Sequence, residues 1–207
     1  IPVIERLARE TSLPISIDTS KPEVMRAAVA AGAGFINDVF ALRREGAMDA
    51  AAELGVPVCL MHMQGEPRGM QEAPHYDDVV ADVHGFLTQR IFSCEMAGIP
   101  KKRIVIDPGF GFGKTLAHNL DLLRHLGNLR EPGVPVLAGL SRKSMLGALT
   151  GQDVNNRVSA SVAAALIAVQ RGASIVRVHD VKETVAALKV RGAMIATEQG
   201  KGRNPHS

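Results

Sequence analysis

Six short apolar runs punctuate the chain, each followed by a turn or polar residue and then by a stretch with helical spacing. They are PISIDTS from Pro14, FINDV from Phe35, VPVCLMH from Val56, RIVIDPG from Arg103, VPVLAGLSR from Val134 and SIVRVHD from Ser174. Each is rich in β-branched or long aliphatic residues in nearly unbroken order, the pattern of strands buried on both faces of a parallel sheet. Between them the spacing predicts helices. Ile1, Ile4 and Leu7 fall on one helical face. After PISIDTS, Ser20 is the expected cap, Pro22 fits the first turn, EVMRAAVAA is Ala-rich, and Gly32 is the expected stop. A long polar loop containing Gly65, Pro67 and Pro74 leads to Asp77 and Asp78, whose charge suits the start of a helix ending near Gly98. RVSASVAAALIAVQRGA and VKETVAALKVRGAMIA supply two further helices, and GKGRNPHS reads as a polar tail.

Strand and helix alternation fits either an open doubly wound sheet or a closed barrel. The polar residues decide between them. Asp18, Asn37, His62, Asp107, Ser141 with Lys143, and Arg177 with His179 all fall at the carboxyl ends of predicted strands. A barrel gathers such ends at one mouth, whereas an open sheet binds chiefly at its switch point. The expected fold class is therefore α/β, a TIM (β/α)8 barrel, with about six of eight βα units in this sequence, since a complete barrel takes about 250 residues. The chain opens at Ile1 inside a helical pattern, so the first two units are expected to lie upstream of it. No linker composition interrupts residues 1–207, so one domain is expected.

Composition narrows the function. With 46% hydrophobic residues, 207 positions suffice for one sizeable core. Lys and Arg number 24 against 21 Asp and Glu, an excess that suits a small anionic substrate and falls short of a nucleic-acid footprint. Aromatic content of 3%, without Trp, leaves no base-stacking platform. No run of eighteen apolar residues and no signal-peptide pattern occurs, so neither a membrane span nor export is expected and the cytoplasm is the expected setting. Cys59 and Cys94 lack metal-ligand spacing and read as buried reduced thiols.

The motif IDPGFGFGK, residues 106–114, places a carboxylate, a proline and three glycines at a strand end. It is either a Gly-rich turn with a capping Asp or a rigid anion beside a backbone that a flat ring can approach closely. Its spacing matches neither a P-loop nor GxGxxG. In AGLSRKSMLG, residues 138–147, the Lys143 ammonium could reach a ring carbonyl or nitrogen, and Ser141 and Ser144 add hydroxyls beside a helix start. Asp18 and Asn37 at adjacent strand ends form an acceptor and donor set suited to an aminopyrimidine edge, while either also fits local capping or turn formation. Asp38 is an equal candidate for capping there. In RVHDV, Arg177, His179 and the following helix amides suit a diphosphate. Met61 and Met63 read as packing residues and His62 as an orienting or hydrogen-bonded core histidine. No cluster has HExxH or paired CxxC spacing, so no protein-built metal site is expected.

Taken in order, ISIDTSKP, GFINDV, LMHMQG, IDPGFGFGK, LAGLSRKSMLG and IVRVHDV resemble bacterial dihydropteroate synthases along the whole chain. The resemblance implies a transferase that joins 6-hydroxymethyl-7,8-dihydropterin diphosphate to p-aminobenzoate with loss of pyrophosphate, in folate biosynthesis. It implies pterin contacts from Asp18, Asn37, Asp107 and Lys143, with Met61, Phe112 and Gly139 beside the ring. Arg177 and His179 are implied for the diphosphate, and Phe112, Lys143 and Ser144 for p-aminobenzoate and the sulfonamides that mimic it. Asp107, Lys143 and Arg177 are the implied catalytic set. Substrate-associated magnesium is implied with its protein ligand on an Asn-containing loop that this sequence lacks, as it lacks the Thr-Arg loop that closes over p-aminobenzoate. A homodimer is implied too. The nearest competitor is a methyltetrahydrofolate-binding methyltransferase barrel, against which SRKSM and RVHDV argue because it handles no diphosphate. A catalytically incomplete pterin-binding fragment is the other alternative.

Overall fold

Each apolar run forms a strand, trimmed to the residues that find a parallel neighbour. In a computed structural model that describes residues 1–65 and 73–201, and side chains as far as residue 196, these are β1 (Ser16–Asp18), β2 (Phe35–Asp38), β3 (Val58–Met61), β4 (Ile104–Asp107), β5 (Leu137–Ala138) and β6 (Ile175–Val176). They pair in parallel and in chain order. Asp18 lies opposite Asn37, Asn37 opposite Cys59, and Met61 opposite Asp107. A single bridge between Ile106 and Val136, with the Ile106 amide donating to Pro135 O at 3.0 Å, continues the sheet from β4 to the β5–β6 pair.

Strand periodicity of two assigns the faces. One face carries Ile36, Val58, Leu60, Ile104, Ile106 and Val136 into the main core against the helices. The concave face carries Phe35, Cys59, Val105 and Leu137 as an inner cluster. Above that cluster stand the polar strand tips. β3 and β4 are buried at every residue, as the continuous apolar pattern predicts. At β1 and β6 the expectation of burial on both faces fails, because they are the two edges of a sheet that does not close: Ser16, Asp18 and Ile175 are exposed. A cavity of about 740 Å³ opens between them, lined by Leu13, Pro14, Phe35, Leu137, Ile175 and Arg177 among others.

The helices are α1 (Pro2–Glu10), α2 (Pro22–Ala30), α3 (Ala47–Leu54), α4 (Val79–Met96), α5 (Leu116–Arg124), α6 (Ser144–Thr150), α7 (Val158–Gln170) and α8 (Val181–Lys201). The start of α4 behaves as expected, with Asp78 accepting from the Val80 and Ala81 amides. Ser20 does not cap α2. The cap position falls on Lys21, whose own amide is taken by Thr19 Oγ at 3.1 Å, and Pro22 has no N–H that needs an acceptor. Gly200 and Lys201, expected in a polar tail, belong to α8, and residues 202–207, like Pro67, lie outside the described residues. Cys59 and Cys94 are buried free thiols. Among the described residues no helix is long and apolar enough to cross a membrane.

Candidate active site

Parallel register delivers the tips of β1, β2, β4 and β6 to one rim, where their side chains form a continuous hydrogen-bonded line. Asn37 Nδ2 donates to Asp18 Oδ2 at 3.0 Å. The Arg177 guanidinium bridges two strands, donating through Nη1 to Asn37 Oδ1 at 3.1 Å and through Nη2 to Asp107 Oδ2 at 2.9 Å. Asp107 Oδ1 accepts from the Gly109 amide at 2.8 Å. Burial pushes the Asp107 carboxyl upward, while the Arg177 guanidinium and the Gly109 amide pull it back. The Asp107 side chain is 1% exposed and Arg177 43%, so the anion is fixed and its cation has one side in water. Gly139 lies directly under that guanidinium: a Cβ there would sit 2.8 Å from Nη2. Met61 is fully buried against the Gly109 turn.

The Gly-rich motif forms the turn that its capping Asp allows. Asp107 caps the turn, and Gly109 and Gly113 carry φ of 68° and 62° while pressing against the backbone carbonyls of His62 and Gln64, where any Cβ would collide. The turn places the Phe112 ring 4.2 Å from Lys143 Nζ. Burial pulls the Lys143 ammonium below its ordinary range, opposed by Asp107 and reinforced by Arg177. A cation between an aromatic face and a buried carboxylate is suited to a planar, electron-rich ring.

On the other side of the mouth, His179 Nδ1 lies 2.9 Å from Ser141 Oγ. Arg142 and Asp180 form a two-bond ion pair that locks the loop after β5 to the loop after β6. Ser144 is exposed in the first turn of α6. Arg177 is turned toward Asn37 and Asp107, two of the residues the resemblance assigns to the pterin. Asp18 and Asn37 cap no helix. Asp38 does the capping: fully buried, it accepts from the amides of Phe40 and Leu42, holding a turn in which Ala41 and Leu42 have positive φ.

Three contributors to the site, Arg157, Asn119 and Lys114, carried no strand-end signal. Arg157 donates to the carbonyls of Arg142 and Lys143 at 3.1 and 3.3 Å, and to Gln152 O at 2.9 Å, while crossing over Gly147. Asn119 accepts from the Gly111 amide and donates to Thr115 O, bracing the Gly-rich loop from α5. Lys114 and His62 are paired beneath the same loop, 3.0 Å apart. Burial, then the Lys114 and Arg43 charges, pulls His62 from 6.5 to about 3, so the imidazole is neutral. Among the described residues no three His, Cys, Asp or Glu side chains form a group that could hold a metal ion, and the residues present do not fit a protein-held magnesium.

Strand-tip polar groups meeting over a parallel barrel floor define a small-molecule enzyme site of the barrel class. Residues 1–179 match the family of pterin binding enzymes, and the chain belongs to that family. It is 51% identical over 201 residues to the dihydropteroate synthase of Escherichia coli (strain K12), covering 97% of this chain and 71% of that one. Among solved structures, the dihydropteroate synthase from Xanthomonas albilineans in complex with 7,8-dihydropteroate is 64% identical with a TM-score of 0.89, covering 94% of this chain and 72% of that chain. The Yersinia pestis dihydropteroate synthase in a sulfonamide drug complex is 49% identical with a TM-score of 0.93, covering 95% and 72%. The fold is the barrel fold of these enzymes, with six strands among the described residues and a sheet that is not closed.

Proposed function

We propose that the line Asp18–Asn37–Arg177–Asp107, with Lys143 above it, is the pterin site of a dihydropteroate synthase. The reaction condenses 6-hydroxymethyl-7,8-dihydropterin diphosphate with p-aminobenzoate to give 7,8-dihydropteroate and pyrophosphate. One observation carries the site assignment: Arg177 spans Asn37 and Asp107 over a side-chain-free Gly139. A pterin presents N–H donors and a ring nitrogen along one edge, the complement of a carboxylate beside an amide. Those ring donors replace the guanidinium at Asp107 and Asn37, and the freed Arg177 swings to the mouth to meet the diphosphate, with His179 beside it. Lys143 donates to the ring from the opposite side, and Met61 packs below.

The methylene C–O bond then breaks, its electron pair leaving with pyrophosphate, whose charge Arg177 and His179 stabilise. Asp107, close to the ring, stabilises the positive charge that develops there. The p-aminobenzoate amine forms the new C–N bond and releases one proton to water. Phe112, Lys143 and Ser144 border the amine's approach, where sulfonamides would compete. No side chain acts as nucleophile, so orientation and fixed charge supply the rate. The homodimer the resemblance implies fits the apolar groove lined by Leu166, Ala187, Val190 and Met194 between α7 and α8. Buried free thiols suit a cytoplasmic setting.

Arg177→Ala tests the assignment. The variant should lose affinity for the pterin diphosphate and nearly all pyrophosphate release, yet bind 6-hydroxymethyl-7,8-dihydropterin, which lacks the diphosphate, at least as tightly as the parent. Full turnover, or equal loss toward both ligands in calorimetry, contradicts it.

A further inference from the structure

The site reading leaves one buried cation without a task. Lys114 ends the Gly-rich motif with its side chain turned inward, 3% exposed. Its Nζ donates to Gly109 O and Phe112 O at 3.0 Å each and lies 3.0 Å from His62 Nδ1. An ammonium has three N–H donors, and here they meet three acceptors, none of them a carboxylate. Burying a cation this way is costly, and burial accordingly pulls Lys114 from 10.5 to about 7. Simple filling of the space would be served better by an aliphatic side chain.

What the ammonium does is geometric. It draws two carbonyls of one turn onto a single point, where the Phe112 amide also donates to Gly109 O at 3.1 Å. The turn is thereby closed, and the Phe112 ring is directed outward to Lys143. The third acceptor is itself immobilised: His62 meets Phe86 edge-on at 5.0 Å and lies 6.1 Å from Tyr76, whose hydroxyl donates to Gly113 O. The groups facing Lys114 are thus His62 at the end of β3, Asp107 on β4, Lys143 after β5 and Tyr76 ahead of α4.

We propose that Lys114 is a positioning residue for the p-aminobenzoate half-site, holding the Gly109–Phe112 turn so that the Phe112 ring and Lys143 present one fixed surface to the incoming amine. The inference rests on the reading above that places Phe112 and Lys143 beside p-aminobenzoate. Steady-state kinetics of the intact protein with both substrates varied will test it. Lys114→Met should raise KM for p-aminobenzoate roughly tenfold, about the loss of one charge-assisted hydrogen bond, and leave KM for the pterin diphosphate unchanged. In a Phe112→Ala background the same substitution should add nothing further to that KM. A merely structural role would lower kcat with the folded fraction and move neither KM, and that result overturns the proposal, as does a Lys114→Met effect that multiplies with Phe112→Ala. If Phe112→Ala alone leaves KM for p-aminobenzoate unchanged, the half-site reading itself has failed and the proposal falls with it. Should Lys114→Met not fold, the tautomer of His62 in the parent protein decides. ¹⁵N NMR at pH 6 should find the proton on Nε2, with Nδ1 accepting from Lys114, and a proton on Nδ1 overturns the arrangement.

Discussion

His62 shows how a single buried side chain writes itself into the pH dependence of the fold. Burial takes it from 6.5 to about 3. Between those values the unfolded chain binds a proton that the folded chain refuses, so His62 weakens folding as pH falls from 6.5 toward 3, by at most about 1.4 kcal/mol per pH unit. Urea unfolding of His62→Asn should therefore show a shallower loss of stability over that interval than the parent, and equal slopes would contradict the buried neutral imidazole. His62 also marks how far side chains are legible in sequence. Asp107, Asn37 and Lys143 declare themselves because strand ends in a parallel sheet share one rim. The pairing of His62 with Lys114 spans 52 positions and depends on a turn geometry that no local pattern encodes.

Among the elements, the loop from β5 to α6 depends on a side chain from beyond it. α6 has only seven residues, and no side chain caps its start at Lys143. Arg142 adopts a φ of 57°, its amide donating to Ser161 Oγ at 3.0 Å. Arg157 supplies the missing restraint through the carbonyls of Arg142 and Lys143. Arg157→Met should destabilise the protein by about 1–3 kcal/mol, the cost of leaving such carbonyls without a charged donor, measurable as a lower urea midpoint; an unchanged midpoint would show the loop to be self-supporting. The strands and most helices were legible because apolar runs and Ala-rich periodicity are local signals. The cap of α2 was not, although its start at Pro22 was, because Pro22 relieves the need for a Ser20 cap and leaves Lys21 in that position.

For the molecule as a whole, pairing strength is uneven along the sheet. β1 to β4 share continuous registers of three and four residues, whereas β5 and β6 hold two residues each and join β4 through one bridge. Local opening follows such differences. In native-state hydrogen exchange the amides of Ile36 and Leu60 should outlast those of Ile175 and Arg177, and the reverse order would contradict the sheet described here. The six-unit barrel pattern was legible in the alternation of runs. Exposure of β1 and β6 was not evident in their apolar composition, because burial of an edge depends on what lies beside it.

Convergence of strand tips on a pterin is the claim on which the functional account stands, and Asp107 is its most buried member. Titration of 6-hydroxymethyl-7,8-dihydropterin diphosphate into Asp107→Asn, followed by calorimetry, tests it most directly. The variant keeps the size of the side chain and loses the anion that accepts from the ring. The account predicts at least a hundredfold weaker binding than the parent, roughly 2.7 kcal/mol; binding at parental strength would contradict it.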